Sequence, residues 1–149
     1  MNTADLIPAK YQTWNKSYLL NISLIDKQHI KFFVLFDKLL LLNKQAESYQ
    51  ELPQVIDELE KYTQIHFQAE EALMRKADAP EYGLHLLQHE IFINKVEDFK
   101  MAYRYKNSVL MEQMIIFMRK WFLMHIAEVD EKYVASVQKF LIGKGWKTE

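Results

Sequence analysis

Apolar side chains in this chain recur at alternating steps of three and four residues, in four separate blocks. This period matches one face of an α-helix, on which residues three and four apart are neighbours. The first block runs from Ile22 to Leu39 and closes at Asn43, and the second follows Pro53, a residue tolerated in the first turn of a helix. Because helices of roughly 20 residues joined by short loops run antiparallel to their neighbours, the pattern predicts an up-down-up-down four-helix bundle.

The segments between the blocks contain helix-breaking residues. Residues 78–80, Asp-Ala-Pro, end the second block, and a polar loop at residues 106–108 separates the third block from the fourth. The fourth block covers residues 110–125, and the helical tail that follows it ends at Gly143 or Gly145. These breaks leave no long linker that would divide the bundle.

A length of 149 residues is that of one domain. We predict a single all-α domain over residues 1–149, with an irregular N-terminal arm at residues 1–18 and the four-helix bundle at about residues 19–142. Three glycines and three prolines are too few for a turn-rich all-β fold or a glycine-rich phosphate loop. The absence of cysteine excludes thiolate-zinc sites, iron–sulfur clusters and cysteine nucleophiles.

The charge and hydropathy of the chain exclude two classes of partner. Its 19 basic and 20 acidic residues provide no basic surface for nucleic acid. No stretch approaches the roughly 20 apolar residues of a membrane span, and the first residues lack the pattern of a signal peptide. We therefore expect a cytoplasmic monomer without nucleic-acid or membrane partners, and leave open an unidentified protein partner.

The five histidines all lie on the apolar stripe of a predicted helix, near its middle. A buried polar group without a partner costs on the order of 1–3 kcal/mol, so an interior with this many imidazoles is unfavourable unless something binds them. One such histidine is usually a hydrogen-bonded core residue, but that explanation fits the whole set poorly. His66 and Glu70 are four residues apart, as are His85 and His89, so each pair shares one helix face, and His29 adds a donor from the first helix.

His125 and Asp130 are five residues apart, a spacing that an ideal helix does not align. Either the helix is distorted around Val129 or the aspartate reaches round the axis. Nitrogen and oxygen donors without thiolate suit iron, manganese, zinc or copper. With one shared solvent bridge, five imidazoles and two bridging carboxylates fill all but one position of two six-coordinate ions. The residues therefore predict a dinuclear metal centre with one vacancy for a small ligand.

The motifs resemble those of the hemerythrin family, and specifically its bacterial single-domain members. The ligand motifs are His29, His66-Phe67-x-x-Glu70, His85-x-x-x-His89 and His125-x-x-x-x-Asp130. The flanking residues agree as well: Trp14, Ile25-Asp26-x-Gln28-His29, Glu70-Glu71-x-x-Met74 and Trp121-x-x-x-His125-Ile126. The resemblance covers nearly the whole chain.

This resemblance implies reversible O2 binding at a non-haem diiron centre, for oxygen storage, delivery or sensing. Two iron ions, as Fe2+ or Fe3+, would share an oxo or hydroxo bridge, and O2 would bind the iron that has fewer histidines. By this resemblance, one iron would be held by His85, His89 and His125, and the other by His29 and His66. Glu70 and Asp130 would bridge the two irons.

A diiron enzyme is the alternative, with oxidase, peroxidase or nitric-oxide-handling activity at the same open iron. Carboxylate-rich diiron bundles typically use Glu-x-x-His pairs, whereas this chain offers five histidines and two carboxylates. Histidine donors leave the metals less electron-rich, which favours holding a bound peroxide over cleaving it, and no second motif exists for an organic substrate. We therefore predict an oxygen-binding protein and not an enzyme.

For three residues near the ligands we expect a structural role and no direct contact with the metal. Asn21 stands where the family usually has a glycine, and asparagine tolerates the left-handed backbone conformation better than most residues. We expect Asp26 to stabilise the start of the first helix, with orientation of an imidazole as the alternative. We expect Glu71 to be a solvated helix residue.

Overall fold

The computed structural model of the chain describes residues 20–45, 48–121, 124–125 and 133–144. These residues form helices and contain no strand: α1 (Ser23–Asn43), a short 3₁₀ turn (Ser48–Glu51), α2 (Leu52–Lys76), α3 (Tyr82–Arg104), α4 (Leu110–Trp121) and α5 (Val134–Gly143). The all-α prediction is therefore confirmed. The predicted N-terminal arm at residues 1–18 lies outside the described residues.

The first four helices close into a ring around a shared core. Helix α2 packs against α1 and α3, and α4 packs against the same two helices from the other side. Helix α5 contacts α2 near the end of the bundle that holds the histidines. Because the connections among the first four helices are short, these helices run in alternating directions, as expected for an up-down-up-down bundle.

Local sequence explains where the helices begin and end. Helix α1 ends at the predicted Asn43, and Pro53 lies in the first turn of α2, where its missing N–H costs least. The predicted break after α2 contains two residues in the left-handed conformation, Asp78 with φ of 51° and Glu81 with φ of 61°. This turn reverses the chain and starts α3 at Tyr82.

The start of α1 confirms the expectations for Asn21 and Asp26. Asn21 adopts a φ of 60°, the left-handed conformation for which glycine is otherwise favoured. The carboxylate of Asp26 accepts backbone N–H bonds from Leu20 at 2.7 Å and from Ile22 at 3.2 Å. Asp26 thereby stabilises the turn that leads into the helix carrying the first predicted ligand.

The core consists of two groups of buried side chains. The larger group fills the interior of the four-helix ring. It includes Phe32 and Phe33, which are fully buried, and Phe67, which is 1% exposed. The smaller lies where α5 meets the start of α1 and the end of α2, and includes Tyr133 and Met74. The histidines lie between the two groups, since Phe67 contacts one of them and Tyr133 contacts another.

One histidine lies nearer a helix end than predicted. His85 is in the first turn of α3, because the turn at Asp78 and Glu81 sets the helix start at Tyr82. The expectation that every histidine lies near the middle of a helix is therefore wrong for His85. His125 has π-helical backbone geometry, and the residues on either side of it, 122–123 and 126–132, lie outside the described residues.

None of the helices in the described part of the chain combines the length and the apolar character needed to cross a membrane.

Candidate metal centre

One oxygen of the Glu70 carboxylate faces three histidines. Oε1 lies 2.8 Å from Nε2 of His85, 3.0 Å from Nε2 of His89 and 3.9 Å from Nε2 of His125. All four side chains are buried, with at most 3% of their surface exposed. Four donor atoms from three segments of the chain thus converge within 4.8 Å of one another.

The other oxygen of Glu70 faces the remaining two histidines. Oε2 lies 3.4 Å from Nε2 of His66 and 3.9 Å from Nε2 of His29, and these donors form a second group within 4.8 Å. The hydroxyl of Tyr133 donates a hydrogen bond of 2.9 Å to the same oxygen. Glu70 therefore belongs to both groups, with one oxygen directed to each.

The helix spacing brings these donors together as predicted. His66 and Glu70 project from one face of α2, and His85 and His89 from one face of α3, because each pair is separated by about one turn. The structure thus assembles six of the seven predicted ligand residues. Asp130 lies outside the described residues, so its expected role stays a prediction.

The donor set fits two metal ions. Imidazole nitrogens and carboxylate oxygens suit iron and the neighbouring first-row metals, and a carboxylate shared between two donor groups is the arrangement of a bridging ligand. Each group has its own histidines and the two groups share only Glu70, so the arrangement offers a position for one ion in each group. The predicted dinuclear centre therefore agrees with the geometry of the described residues.

Three polar side chains that sequence reasoning missed bind the outer nitrogens of the histidines. In the tautomer that binds a metal through Nε2, the Nδ1–H of each imidazole donates to a side-chain oxygen. The pairs are His66 with Gln28 at 2.6 Å, His89 with Glu71 at 2.7 Å and His125 with Gln88 at 2.8 Å. The expectation that Glu71 is a solvated helix residue is therefore wrong.

Each of these partners follows or precedes a ligand in the sequence yet bonds to a ligand on another segment. Gln28 is adjacent to His29, Glu71 to Glu70 and Gln88 to His89. Adjacent helix residues are rotated by about 100°, so the neighbour of an inward-facing ligand points along the flank toward the next helix. The sequence signal that could have identified these partners is a polar residue directly beside a predicted ligand.

Aromatic rings restrain three of the imidazoles. Phe67 stacks on His89 with ring centroids 3.9 Å apart and an interplanar angle of 2°. Trp121 stacks on His125 at 4.1 Å and 14°, and Tyr62 on His66 at 5.1 Å and 14°. Since each of these imidazoles also has a partner at Nδ1, the direction of its Nε2 atom is set from two sides.

The imidazoles keep the central carboxylate ionised. Burial alone would raise the pKa of Glu70, but the histidines around it, with His66 the largest contributor, hold that pKa well below its usual value. A buried carboxylate surrounded by neutral or positive groups is poised to bind a cation.

The chain is similar to known proteins in sequence and in fold. Residues 20–137 match a family model described as the hemerythrin HHE cation binding domain. The chain is 30% identical over 125 residues to a bacteriohemerythrin of Clostridium acetobutylicum, covering 81% of this chain and 97% of that protein. It is 27% identical over 128 residues to a bacteriohemerythrin of Stenotrophomonas maltophilia, covering 86% and 82%. Its fold is similar to a crystal structure of a leucine-to-alanine mutant of hemerythrin, with a TM-score of 0.76, 24% identity and coverage of 85% of this chain and 96% of that chain.

Proposed function

Because the chain belongs to the hemerythrin family, we propose that it binds O2 reversibly at a non-haem diiron centre in the bundle. The observation that carries this proposal is the division of the Glu70 carboxylate between two groups of histidines. The proposed ligands of one iron are His85, His89 and His125, and those of the other are His29 and His66. The proposed bridging carboxylates are Glu70 and Asp130.

The unequal number of histidines explains where O2 would bind. Two ferrous ions held by these residues would supply the electrons for reversible O2 binding. The side of Glu70 that faces His29 and His66 offers one histidine fewer than the opposite side, so its metal position retains a vacancy. The vacancy is therefore proposed to lie on this side of the carboxylate.

The surroundings of this side favour holding O2 without further reaction. His29 is fully buried, as are Phe32 and Phe33 about one turn further along α1, and His66 is 1% exposed. Such apolar walls exclude water, and with it the protons that would release reduced oxygen species. The hydroxyl of Tyr133 is engaged with Glu70 and helps to hold the bridging carboxylate in place.

Among the finer parts of the proposal, the oxo or hydroxo bridge and the cycling between Fe2+ and Fe3+ rest on the resemblance of the sequence. The absence of enzymatic turnover rests on the types of donor and on the lack of a second motif for an organic substrate. A cytoplasmic monomer is expected from the charge and hydropathy of the sequence. In the described part of the chain the two donor groups consist of five imidazoles and one carboxylate, a composition that favours carriage over the chemistry of carboxylate-rich diiron enzymes.

The first test is the metal content and the O2 response of the purified protein. We expect close to two irons per chain and a visible absorption band that appears when the reduced protein meets O2 and vanishes on deoxygenation. One iron per chain, or a preference for zinc, contradicts the dinuclear assignment. Net consumption of O2 over many turnovers favours the enzyme alternative.

A variant of the central carboxylate tests the observation itself. In Glu70→Gln an amide nitrogen replaces one oxygen, so the side chain can no longer donate an oxygen to each metal, and we expect the iron content and the O2-dependent band to fall together. Glu58→Gln is the matched control, because Glu58 lies on the same helix but contacts Lys38.

His66→Ala is expected to abolish O2 binding. Normal O2 binding by this variant contradicts the assignment of the O2 position to the side of Glu70 that faces His29 and His66.

A further inference from the structure

The outer partners of the three restrained imidazoles differ in charge. Gln28 and Gln88 present neutral amide oxygens to their histidines, whereas Glu71 presents a carboxylate oxygen to Nδ1 of His89. The side chain of Glu71 is 26% exposed, and that of His89 is 1% exposed. One histidine in the centre therefore has an anionic partner at the edge of the protein.

A carboxylate constrains the imidazole more strictly than an amide does. An ionised carboxylate can only accept hydrogen bonds, so when a metal takes the Nε2 lone pair of His89, the remaining ring proton lies on Nδ1 and is donated to Glu71. An amide can rotate and offer its NH₂ group, which would accommodate the opposite tautomer. Glu71 therefore favours the metal-binding tautomer of His89 more strongly than Gln28 favours that of His66 or Gln88 that of His125.

The position of His89 gives this bond a specific consequence. Its Nε2 lies 3.0 Å from Oε1 of Glu70 and 3.3 Å from Nε2 of His125, in the group that contains three histidines. A carboxylate that accepts the outer N–H of a ligating imidazole raises the basicity of that ligand. The added electron density stabilises the more highly charged oxidation state of the metal at that position.

We propose that Glu71 is a positioning residue that makes His89 a stronger imidazole donor than His66 or His125, whose outer nitrogens face amide oxygens. Through His89 it strengthens retention of the metal on the three-histidine side and lowers the reduction potential of that metal. The proposal deepens the proposed function and rests on it, because it assigns the two metal positions different electronic properties. The position without a vacancy is the one held most firmly, while the opposite side relies on the neutral partner Gln28.

The test compares three variants of the iron-loaded protein. Glu71→Gln keeps an acceptor of the same shape and removes the charge, whereas Glu71→Ala removes both. Gln88→Glu adds a carboxylate to His125 in the same group and is the reciprocal variant. Without O2 present, the rate of iron transfer to an excess of chelator and the midpoint potential of the centre are measured, with circular dichroism to check folding.

For Glu71→Gln we expect about 10–100-fold faster release of one of the two irons and a more positive midpoint potential. For Gln88→Glu we expect a more negative potential. Release and potential equal to wild type in Glu71→Gln overturn the proposal, as does a potential that rises in Gln88→Glu. If Glu71→Gln fails to fold, the direction of the shift in Gln88→Glu decides alone.

These measurements separate the failure of this proposal from that of the proposed function. Both readouts are taken without O2, so they report on the metals and not on the ligand. A wild-type protein that holds two irons but shows no O2-dependent band contradicts the oxygen-binding function and leaves the role of Glu71 to be decided by the variants. A wild-type protein with normal O2 binding and unchanged variants contradicts only the role of Glu71.

Discussion

The phenol of Tyr133 donates a hydrogen bond of 2.9 Å to Oε2 of Glu70. Both residues are 1% exposed, and this oxygen is the one that faces His66 and His29. The bond connects the start of α5 to α2 and completes the enclosure of the central carboxylate by groups that stabilise its negative charge.

We expect Tyr133→Phe to destabilise the metal-free protein. A hydrogen bond to a charged group contributes about 1.5–3 kcal/mol, so the free energy of unfolding should fall by that amount. Urea titration followed by circular dichroism measures the change. Tyr105→Phe is the matched control, because Tyr105 is 79% exposed and its variant should equal wild type. Equal losses in both variants contradict this assignment.

We expect Phe67→Ala to cost about 3–5 kcal/mol of the free energy of unfolding, since the phenyl ring is 1% exposed and its loss leaves a cavity. The imidazole of His89 also loses the ring that stacks on it at 3.9 Å. Ile65→Ala, at a position on the same helix that is 61% exposed, should change stability by no more than about 0.5 kcal/mol. Similar values for the two variants are incompatible with the packing described.

We expect Gln28→Leu to weaken metal binding on the two-histidine side. The variant removes the oxygen that accepts the Nδ1–H bond of His66 at 2.6 Å, and loss of such a partner typically costs 10–100-fold in metal affinity. Iron content after equilibration with a limiting amount of Fe2+ measures the effect. Gln54→Leu is the control, because its exposed amide contacts only Glu58 among the bonds described. Iron content equal to wild type in Gln28→Leu refutes the prediction.

Chelation of the metals should lower the thermal stability of the protein. A ligand that binds only the folded state at 100 times its dissociation constant adds about 2.7 kcal/mol, so the Tm should fall when a chelator is added and recover when Fe2+ is returned anaerobically. In His85→Ala, which lacks one of the proposed ligands, the chelator should change the Tm less. A Tm that is insensitive to chelator in the wild-type protein contradicts metal binding in the folded state.

The fold was largely predictable because helix periodicity is a local property. The apolar steps of three and four residues predicted the bundle, Asn43 marked the end of α1, and Pro53 marked the start of α2. The placement of His85 in the first turn of α3 was not predicted. It depends on the left-handed backbone of Asp78 and Glu81, which leaves no clear periodic trace in the sequence.

The ligands of the candidate centre were easier to predict than the residues that support them. A histidine on an apolar stripe is conspicuous, because burial of a polar group requires an explanation. Glu71 and Gln28 are polar residues on the flanks of amphipathic helices, where such residues are ordinary. Their role became visible only when the distance to a histidine on a neighbouring helix was known.

The amino-acid sequence alone therefore determined the helices, the types of donor and the helix faces on which the donors lie. The faces follow from the sequence because each residue is rotated by a fixed angle from the last along a helix. Tertiary structure alone decided that Oε1 of Glu70 faces His85 while Oε2 faces His66, and that Glu71 reaches His89. Such contacts depend on how far apart the helices pack and how they are rotated, and those quantities result from all the buried side chains acting together.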